Sequence, residues 1–506
     1  LIRYTCNGKT PGIILAKSAH PYKYMQPSYF IGIDIGTQGA RVVMLDDKGH
    51  QLGSKEEVFP ISNQSREEQD PELWWSSCLH LLKELCAGLS TKLNCSLVKA
   101  ITVTSTSGTI IPINKQGAPL RAAIMYSDNR SAKEAEVCKA AVAEAGTKGY
   151  TAFNASSGLP KMRWFLNNNA GKIHNLYKFI HAADFITGKL SGVFTITDYT
   201  NVLKSGYDLH RFEWPSYITS HLSIKKEWVQ QVVSSGTPVG KLKESIAATL
   251  RLPAEVVITA GITDGCASQV AAGAIKPGDW NTTIGTTLVI KGVTHQEIID
   301  PAGALYCHRH PEGHWMPGGA SNTGADWVSR LFAGADLQAL NDTAAATMPG
   351  KRLAWPLLQQ GERFPFVAPQ ALGFAPGNIT REELFLLSME GVAYIERYAY
   401  ERIKKLSGEP ITQVSAAGGA TNSDTWLTIR SNVLNLPICI MQNLTGAAGA
   451  AVVAASKTHF TSITEAGQKM IRPEKYIRPD SVLSKRYEKN YHNFIDLLKL
   501  KGYLST

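Results

Sequence analysis

The chain has 506 residues, 44% hydrophobic and 19% charged, with a net charge of +10. That length divides naturally into two large domains, and no run of eighteen or more apolar residues offers a membrane-spanning helix. The basic residues are spread along the chain without a nucleic-acid motif, which suits small anionic ligands and argues against nucleic acid. The eight cysteines are scattered with no CxxC pair, so free thiols are expected rather than structural zinc.

Residues 1–29 contain no Asp or Glu, whereas Arg3, Lys9, Lys17 and Lys23 are basic and Pro11, Pro21 and Pro27 break regular structure. This acidic-poor leader is compatible with the remnant of an organelle transit peptide, which would suggest a plastid (chloroplast) or mitochondrion. A disordered extension on a cytoplasmic protein is the alternative.

Tyr29 to Gly49, YFIGIDIGTQGARVVMLDDKG, reads as strand, glycine turn, strand. Gly36 and Gly39 would let the backbone turn tightly and approach a ligand. The turn Gly36-Thr37-Gln38, with its N–H groups and the Thr37 hydroxyl, could hold phosphate oxygens. Asp34, at the strand end, is placed to hold a magnesium ion through water. An ordinary hairpin with an acidic turn fits this stretch equally well.

Asp70 is a good N-cap and Pro71 suits a first helical turn. The helix runs towards Gly88, with Trp74 and Trp75 as packing residues. Val98 to Val103 is a buried strand followed by the hydroxyl-rich loop Thr104-Ser105-Thr106-Ser107-Gly108-Thr109. Open α/β sheets place ligands at such strand ends, so the loop could bind sugar hydroxyls; a polar loop with local turns is the competing reading. Ile110 to Ile113 and Ala123 to Met125 would continue the sheet, and Asp128 with Arg130 reads as a surface ion pair. Ser131 to about Leu190 is helical in pattern, with breaks at Gly158-Leu159-Pro160 and Asn167-Asn168-Asn169. Val256 to Thr259 is a strand before Gly261-Ile262-Thr263-Asp264-Gly265, where Asp264 is either a helix cap or a catalytic base.

A boundary is expected near Gly273 to Gly278. Beyond it, Asp279 to Ile290 again reads strand, Gly-Thr turn, strand, with Gly285 and Thr286 in the turn. Two such hairpins, one opening each half, suggest a duplicated α/β fold whose halves, 30–273 and 274–506, face each other across a cleft. In the second half a long helix is expected from Arg381 to about Lys405. Val414 to Asn422 reads as a strand ending in Gly418-Gly419, whose bare backbone could lie against an adenine or the α-phosphate, or could be a plain tight turn. Gly446 to Ala451 is a small-residue helix suited to close packing. The last stretch, Tyr487 to Tyr503, is an amphipathic helix expected to dock back on the body, with the first domain as a candidate surface.

Taken together, these motifs resemble the FGGY carbohydrate kinase family of the actin-like ATPase superfamily. The resemblance runs from about Tyr29 to the C-terminus. It rests on Asp34-Ile35-Gly36-Thr37, Gln69-Asp70-Pro71 with Trp74-Trp75, Asp128 with Arg130, Gly261-Ile262-Thr263-Asp264-Gly265, Ile284-Gly285-Thr286-Thr287, Ala417-Gly418-Gly419-Ala420 and Gly446 to Ala451. It implies two ribonuclease-H-like domains around a central cleft, binding ATP mainly by the second and a sugar mainly by the first. Asp264 would be the general base. Asp34 would hold Mg2+ and would also touch the substrate hydroxyl. Gly36, Thr37, Gln38, Gly285 and Thr286 would line the phosphates, and Gly418, Gly419 and Asn422 would border the nucleotide. The loop Thr104 to Thr109 is most similar to the Thr-Cys-Ser loop of ribulose kinases, with Thr106 and Ser107 in the matching places. That favours D-ribulose, with Ser107 as a substrate contact and D-xylulose as the nearest rival. The chain departs from the family at Thr428 to Asn432 and at Gln442-Asn443, which puts substrate affinity and nucleotide preference in question. A non-catalytic nucleotide- or sugar-binding regulatory protein is the alternative from another class.

Overall fold

The computed structural model describes residues 26–60, 62–146 and 150–504, so nearly all of the basic leader lies outside the described residues. The first half builds β1 (Tyr29–Ile35), β2 (Gly39–Asp46), β3 (Gln51–Val58), α1 (Pro71–Leu89), β4 (Val98–Ser105), α2 (Ala182–Ser191), β5 (Pro238–Lys241), β6 (Val257–Thr259), β7 (Ile262–Thr263) and α3 (Asp264–Ala271). Its sheet has the order β5-β6-β4-β1-β2-β3, with β7 also on β4. The hairpin β1-β2-β3 is antiparallel, and β4 and β6 run parallel to β1.

The second half builds β8 (Trp280–Ile284), β9 (Leu288–Gly292), β10 (Tyr306–Arg309), β11 (Trp315–Ser321), α4 (Arg381–Ser407), β12 (Val414–Ala417), α5 (Asp424–Leu434), β13 (Ile438–Met441), α6 (Gly446–Ala455), β14 (Pro473–Ile477) and α7 (Ser481–Leu500). The order β10-β11-β9-β8-β12-β13-β14 repeats the plan of the first sheet: antiparallel strands on one side of β8, and on the other two parallel strands ended by an antiparallel edge strand. The molecule is therefore a two-unit α/β fold with a duplicated core.

The two units are not simple successive halves of the chain. α6 comes from the second half, yet all ten of its residues are buried and it packs on β1, β4 and α3. Glycines permit that approach. A Cβ on Gly32 of β1 would lie 1.8 Å from the Ala447 carbonyl oxygen, and one on Gly449 would lie 1.9 Å from the Ala267 oxygen. The run of small residues thus places two helices, one from each half, back to back between the sheets.

Three expectations need correction. Ile111–Ile113 and Ala123–Ile124 do not extend the main sheet; they pair with Lys178–Ile180 and Glu68–Gln69 in separate two-stranded ribbons. Asp128 is buried rather than part of a surface pair. The Arg130 guanidinium meets both Asp128 and Glu68 and lies 5.0 Å from the Trp164 ring centre. Finally, α7 docks on α4 and α5 of the second unit, not on the first. Its stripe Tyr487, Tyr491, Phe494 and Leu498 is buried, and three of these rings surround Tyr394 of α4 with centroids 6.4, 6.3 and 5.2 Å away.

Candidate active site

The carboxyl edge of the first sheet gathers the acidic candidates. Asp34 of β1 lies in register with Thr104 of β4, which is itself beside Ile262 of β7. Asp34 and Asp264 therefore leave the sheet two strands apart, roughly 10 Å at the backbone, with the Thr104–Thr109 loop between them. Asp264 is the first residue of α3, whose N-cap is Thr263; it is not the cap. Its Oδ1 accepts from the Gly265 N–H at 2.6 Å.

Desolvation, then the charge of Asp264, pushes the Asp34 carboxyl up to about 7, against the pull of Arg41. Desolvation raises Asp264 as well, opposed by the Gly265 N–H and by the ammonium groups of Lys291 and Lys204. Neighbouring carboxylates that resist ionisation, with hard oxygen donors, fit a magnesium ion. Asp34 also sits on the first turn of α6: a Cβ at Gly446 would come 2.5 Å from Asp34 Oδ2. Only glycine admits the carboxylate there, where unpaired helix N–H groups favour negative charge.

The loop after β4 offers unpaired hydroxyls. Thr104 Oγ1, Ser105 Oγ and Ser107 Oγ are buried without a hydrogen-bond partner, a costly state that a polyhydroxylated ligand or water would relieve. Thr106 is committed differently, its hydroxyl 2.9 Å from that of Thr109. Gly108 has φ +85°, and a Cβ there would strike the Ser156 carbonyl oxygen.

The glycine turn of β1-β2 differs from expectation. Neither Gly36 nor Gly39 has positive φ. Gly39 is small because a Cβ would lie 2.3 Å from the Glu57 oxygen of β3, whereas Gly36 has open space above it. Gln38 is exposed at the tip. The carbonyl of Thr37 accepts from Gln69 Nε2 at 3.0 Å, and the Trp74 indole N–H donates to Gln69 Oε1 at 2.7 Å. Trp74 is thus a packing residue that also anchors the turn.

On the second sheet the turns after β8 and β12 lie side by side. Gly418 has φ +85°, and its Cβ would come 2.4 Å from the Ile284 oxygen at the end of β8. Gly285 and Gly419 have nothing within 4 Å of a built Cβ. Thr286, Gly418, Gly419 and Asn422 are exposed, Asn422 closing the 3-10 turn Gly419–Asn422. The arrangement leaves bare backbone for a nucleotide.

Sequence reasoning missed the lysines. Lys291 of β9 is buried and donates to Cys266 Sγ at 3.5 Å; its Nζ would be 3.1 Å from a Cβ on Gly265. It reaches from the second sheet to the helix that starts at Asp264. Lys204 is half-buried beside Gly108. Lys161 is buried, donates to the Ala155 carbonyl and is pushed down to about 7 by desolvation. Nothing in the local pattern separates these lysines from solvated ones.

The residues that depart from the family pattern turn away from the site. Arg430 makes a fully buried bidentate pair with Glu396 of α4, both bonds 2.7 Å. Asn432 Oδ1 accepts from the Asp480 N–H at 2.8 Å, tying down the start of α7. Asn443 Nδ2 donates to the Gly49 carbonyl at 3.0 Å and so joins the two units.

Comparison with known proteins agrees with this architecture. The model of the FGGY family of carbohydrate kinases, N-terminal domain, matches residues 29–271, and that of the C-terminal domain matches residues 280–458. A gluconokinase of Bacillus subtilis is 24% identical over 498 residues, covering 94% of this chain and 96% of its own. A xylulose kinase of Staphylococcus epidermidis is 24% identical over 475 residues, covering 91% and 94%. The crystal structure of a xyloylose kinase from Brucella ovis superposes with a TM-score of 0.82 at 23% identity, covering 94% of this chain and 100% of that one.

Proposed function

This chain belongs to the FGGY family of carbohydrate kinases, ATP-dependent sugar phosphotransferases, and on that premise we propose that it phosphorylates a ketopentose, D-ribulose first and D-xylulose next. One observation carries the reading: Asp264 stands at a strand-to-helix corner with one carboxylate oxygen fixed by the Gly265 N–H, leaving the other to take a proton from an acceptor hydroxyl. The unpaired Ser107 hydroxyl supports a sugar in the loop above β4. The bare turns at Gly285-Thr286 and Gly418-Gly419, with Asn422, would take ATP, and Gly36, Thr37 and Gln38 would close on its terminal phosphates. Mg2+ beside Asp34 would supply positive charge to the phosphate oxygens. Approach of the two units around the cleft would exclude water as a competing acceptor.

A second reading has its own observation. Lys161 and Lys204 lie within electrostatic reach of one another, Lys204 beside the hydroxyl loop, and neither makes an ion pair among the described residues. An acidic sugar would suit these lysines, its charge holding their protons in place, and one relative is a gluconokinase. ADP release should be measured with D-ribulose, D-xylulose, gluconate and glycerol, for the native chain and Asp264→Asn. The expected result is stimulation by one pentulose and a fall of about 10²–10⁴ in kcat on substitution, with KM for ATP little changed. Stimulation by gluconate alone would favour the second reading. Full turnover in Asp264→Asn would remove Asp264 from the role of base.

A further inference from the structure

We infer that Asp198 is a positioning residue for phosphoryl transfer, acting through the Thr200 hydroxyl on the backbone at Thr263. The inference rests on the reading of Asp264 as the base. Asp198 is fully buried and spends its carboxylate on neighbours rather than on a ligand. Oδ1 accepts from the Thr200 N–H at 2.7 Å, the Thr200 hydroxyl at 2.6 Å and the Ser235 hydroxyl at 3.0 Å, and Oδ2 accepts from the Asn201 amide. A hydroxyl has one proton. Because Thr200 gives it to Asp198, its lone pairs are left to accept, and they take the Thr263 N–H at 2.8 Å.

That last bond is the informative one. It joins residues 63 apart in sequence and ends on the residue immediately before Asp264. Thr263 is both the last residue of β7 and the N-cap of α3, so its amide fixes the corner from which Asp264 enters the cleft. Its own side chain makes no cap bond; the corner is held from outside. The Asp264 carboxylate is tied to the same corner through Gly265, so a shift of the Thr263 backbone carries the base with it. Displacement of a reacting group by about 1 Å can cost on the order of 10² in rate.

The polarity of the relay depends on an acceptor oxygen at 198. An asparagine there keeps a carbonyl oxygen for the three donors that meet at Oδ1 and turns its amide N–H to Asn201, whose own Oδ1 has no partner, whereas an alanine leaves the Thr200 hydroxyl with no oxygen to receive its proton. Asp198→Ala should therefore resemble Thr200→Val, whereas Asp198→Asn keeps the acceptor oxygen, Thr200→Ser keeps the hydroxyl, and both should retain function.

The test uses the full chain with MgATP and whichever of D-ribulose, D-xylulose and gluconate is turned over fastest. Thr200→Val and Asp198→Ala should lower kcat about 10- to 100-fold with KM for ATP within about twofold of native. Thr200→Ser should restore kcat to within about threefold. In an Asp264→Asn background, Thr200→Val should cause no further loss, because both changes remove the same contribution. The relay is overturned if Thr200→Val keeps native kcat, if Thr200→Ser is as impaired as Thr200→Val, or if the losses multiply in the Asp264→Asn background. Should Thr200→Val fail to fold, Asp198→Ala, Thr200→Ser and their double variants with Asp264→Asn carry the same comparisons. If Asp264→Asn itself keeps native turnover, the base assignment fails, an outcome separate from failure of the relay.

Discussion

At the scale of single residues, the site is a balance between carboxylates that resist ionisation and cations that oppose them. Asp34 is held near 7 by desolvation and by Asp264, above the ordinary carboxylate value. The folded protein therefore binds this proton more tightly than the unfolded chain, and stability falls as pH rises from about 4 through 7. Asp34→Asn should raise the melting temperature at pH 8 in the absence of nucleotide and divalent metal, with the difference disappearing towards pH 4. A lower melting temperature for Asp34→Asn at pH 8 would contradict this balance. For Asp264 the same logic governs rate. Its raised pKa puts the acid limb of the pH–rate profile above the usual carboxylate range, so activity declines as pH drops through that limb. Lys291 opposes the shift, and Lys291→Met should move the limb to higher pH; a profile unchanged in position would exclude Lys291 from setting the charge of the base. The two acids could be singled out in the sequence because each lies at the end of an apolar run within two residues of a glycine. The lysines were not, because a buried and a solvated lysine look the same until packing is known.

At the scale of elements, the segment around Arg430 shows how a departure from a family pattern can be structural. Arg430 and Glu396 are both fully buried and join α5 to α4, while Asn432 receives the chain as it enters α7. Removing one partner of such a pair leaves an uncompensated buried charge, at a cost of about 3–5 kcal/mol. Arg430→Met should therefore lower stability to urea by about that amount while KM for ATP in the folded fraction stays near native. A changed KM with unchanged stability would return the segment to the nucleotide site. The hairpins opening each unit were read correctly from their apolar runs and turn residues. The short strands at Ile111 and Ala123 were misassigned because their partners, at Lys178 and Glu68, are selected by tertiary pairing and not by local pattern.

At the scale of the whole molecule, two similar sheets meet through α3 and α6, and the proposed acceptor and nucleotide surfaces lie on different sheets. The ties across the units include Asn443 to Gly49, Arg472 to the Lys48 carbonyl at 3.0 Å and Lys457 to Thr237 at 3.3 Å, beside the packing of α6 on the first sheet. Adding sugar together with a non-hydrolysable ATP analogue should reduce the radius of gyration measured by small-angle scattering, more than either ligand alone. Equal values in all states would argue against closure as the means of excluding water.

The sequence by itself determined the kinase family and the plan of the fold: strand, glycine turn and acid recur at fixed places, and each is a local pattern dictated by backbone geometry and apolar periodicity. Only the tertiary structure decided that α6 belongs between the sheets, that α7 rests on the second unit, that Thr428 to Asn432 serves packing, and that Asp198 reaches Thr263 through a hydroxyl. Each of those depends on contacts between residues far apart in the chain, and a one-dimensional pattern carries burial and polarity but not the identity of the partner.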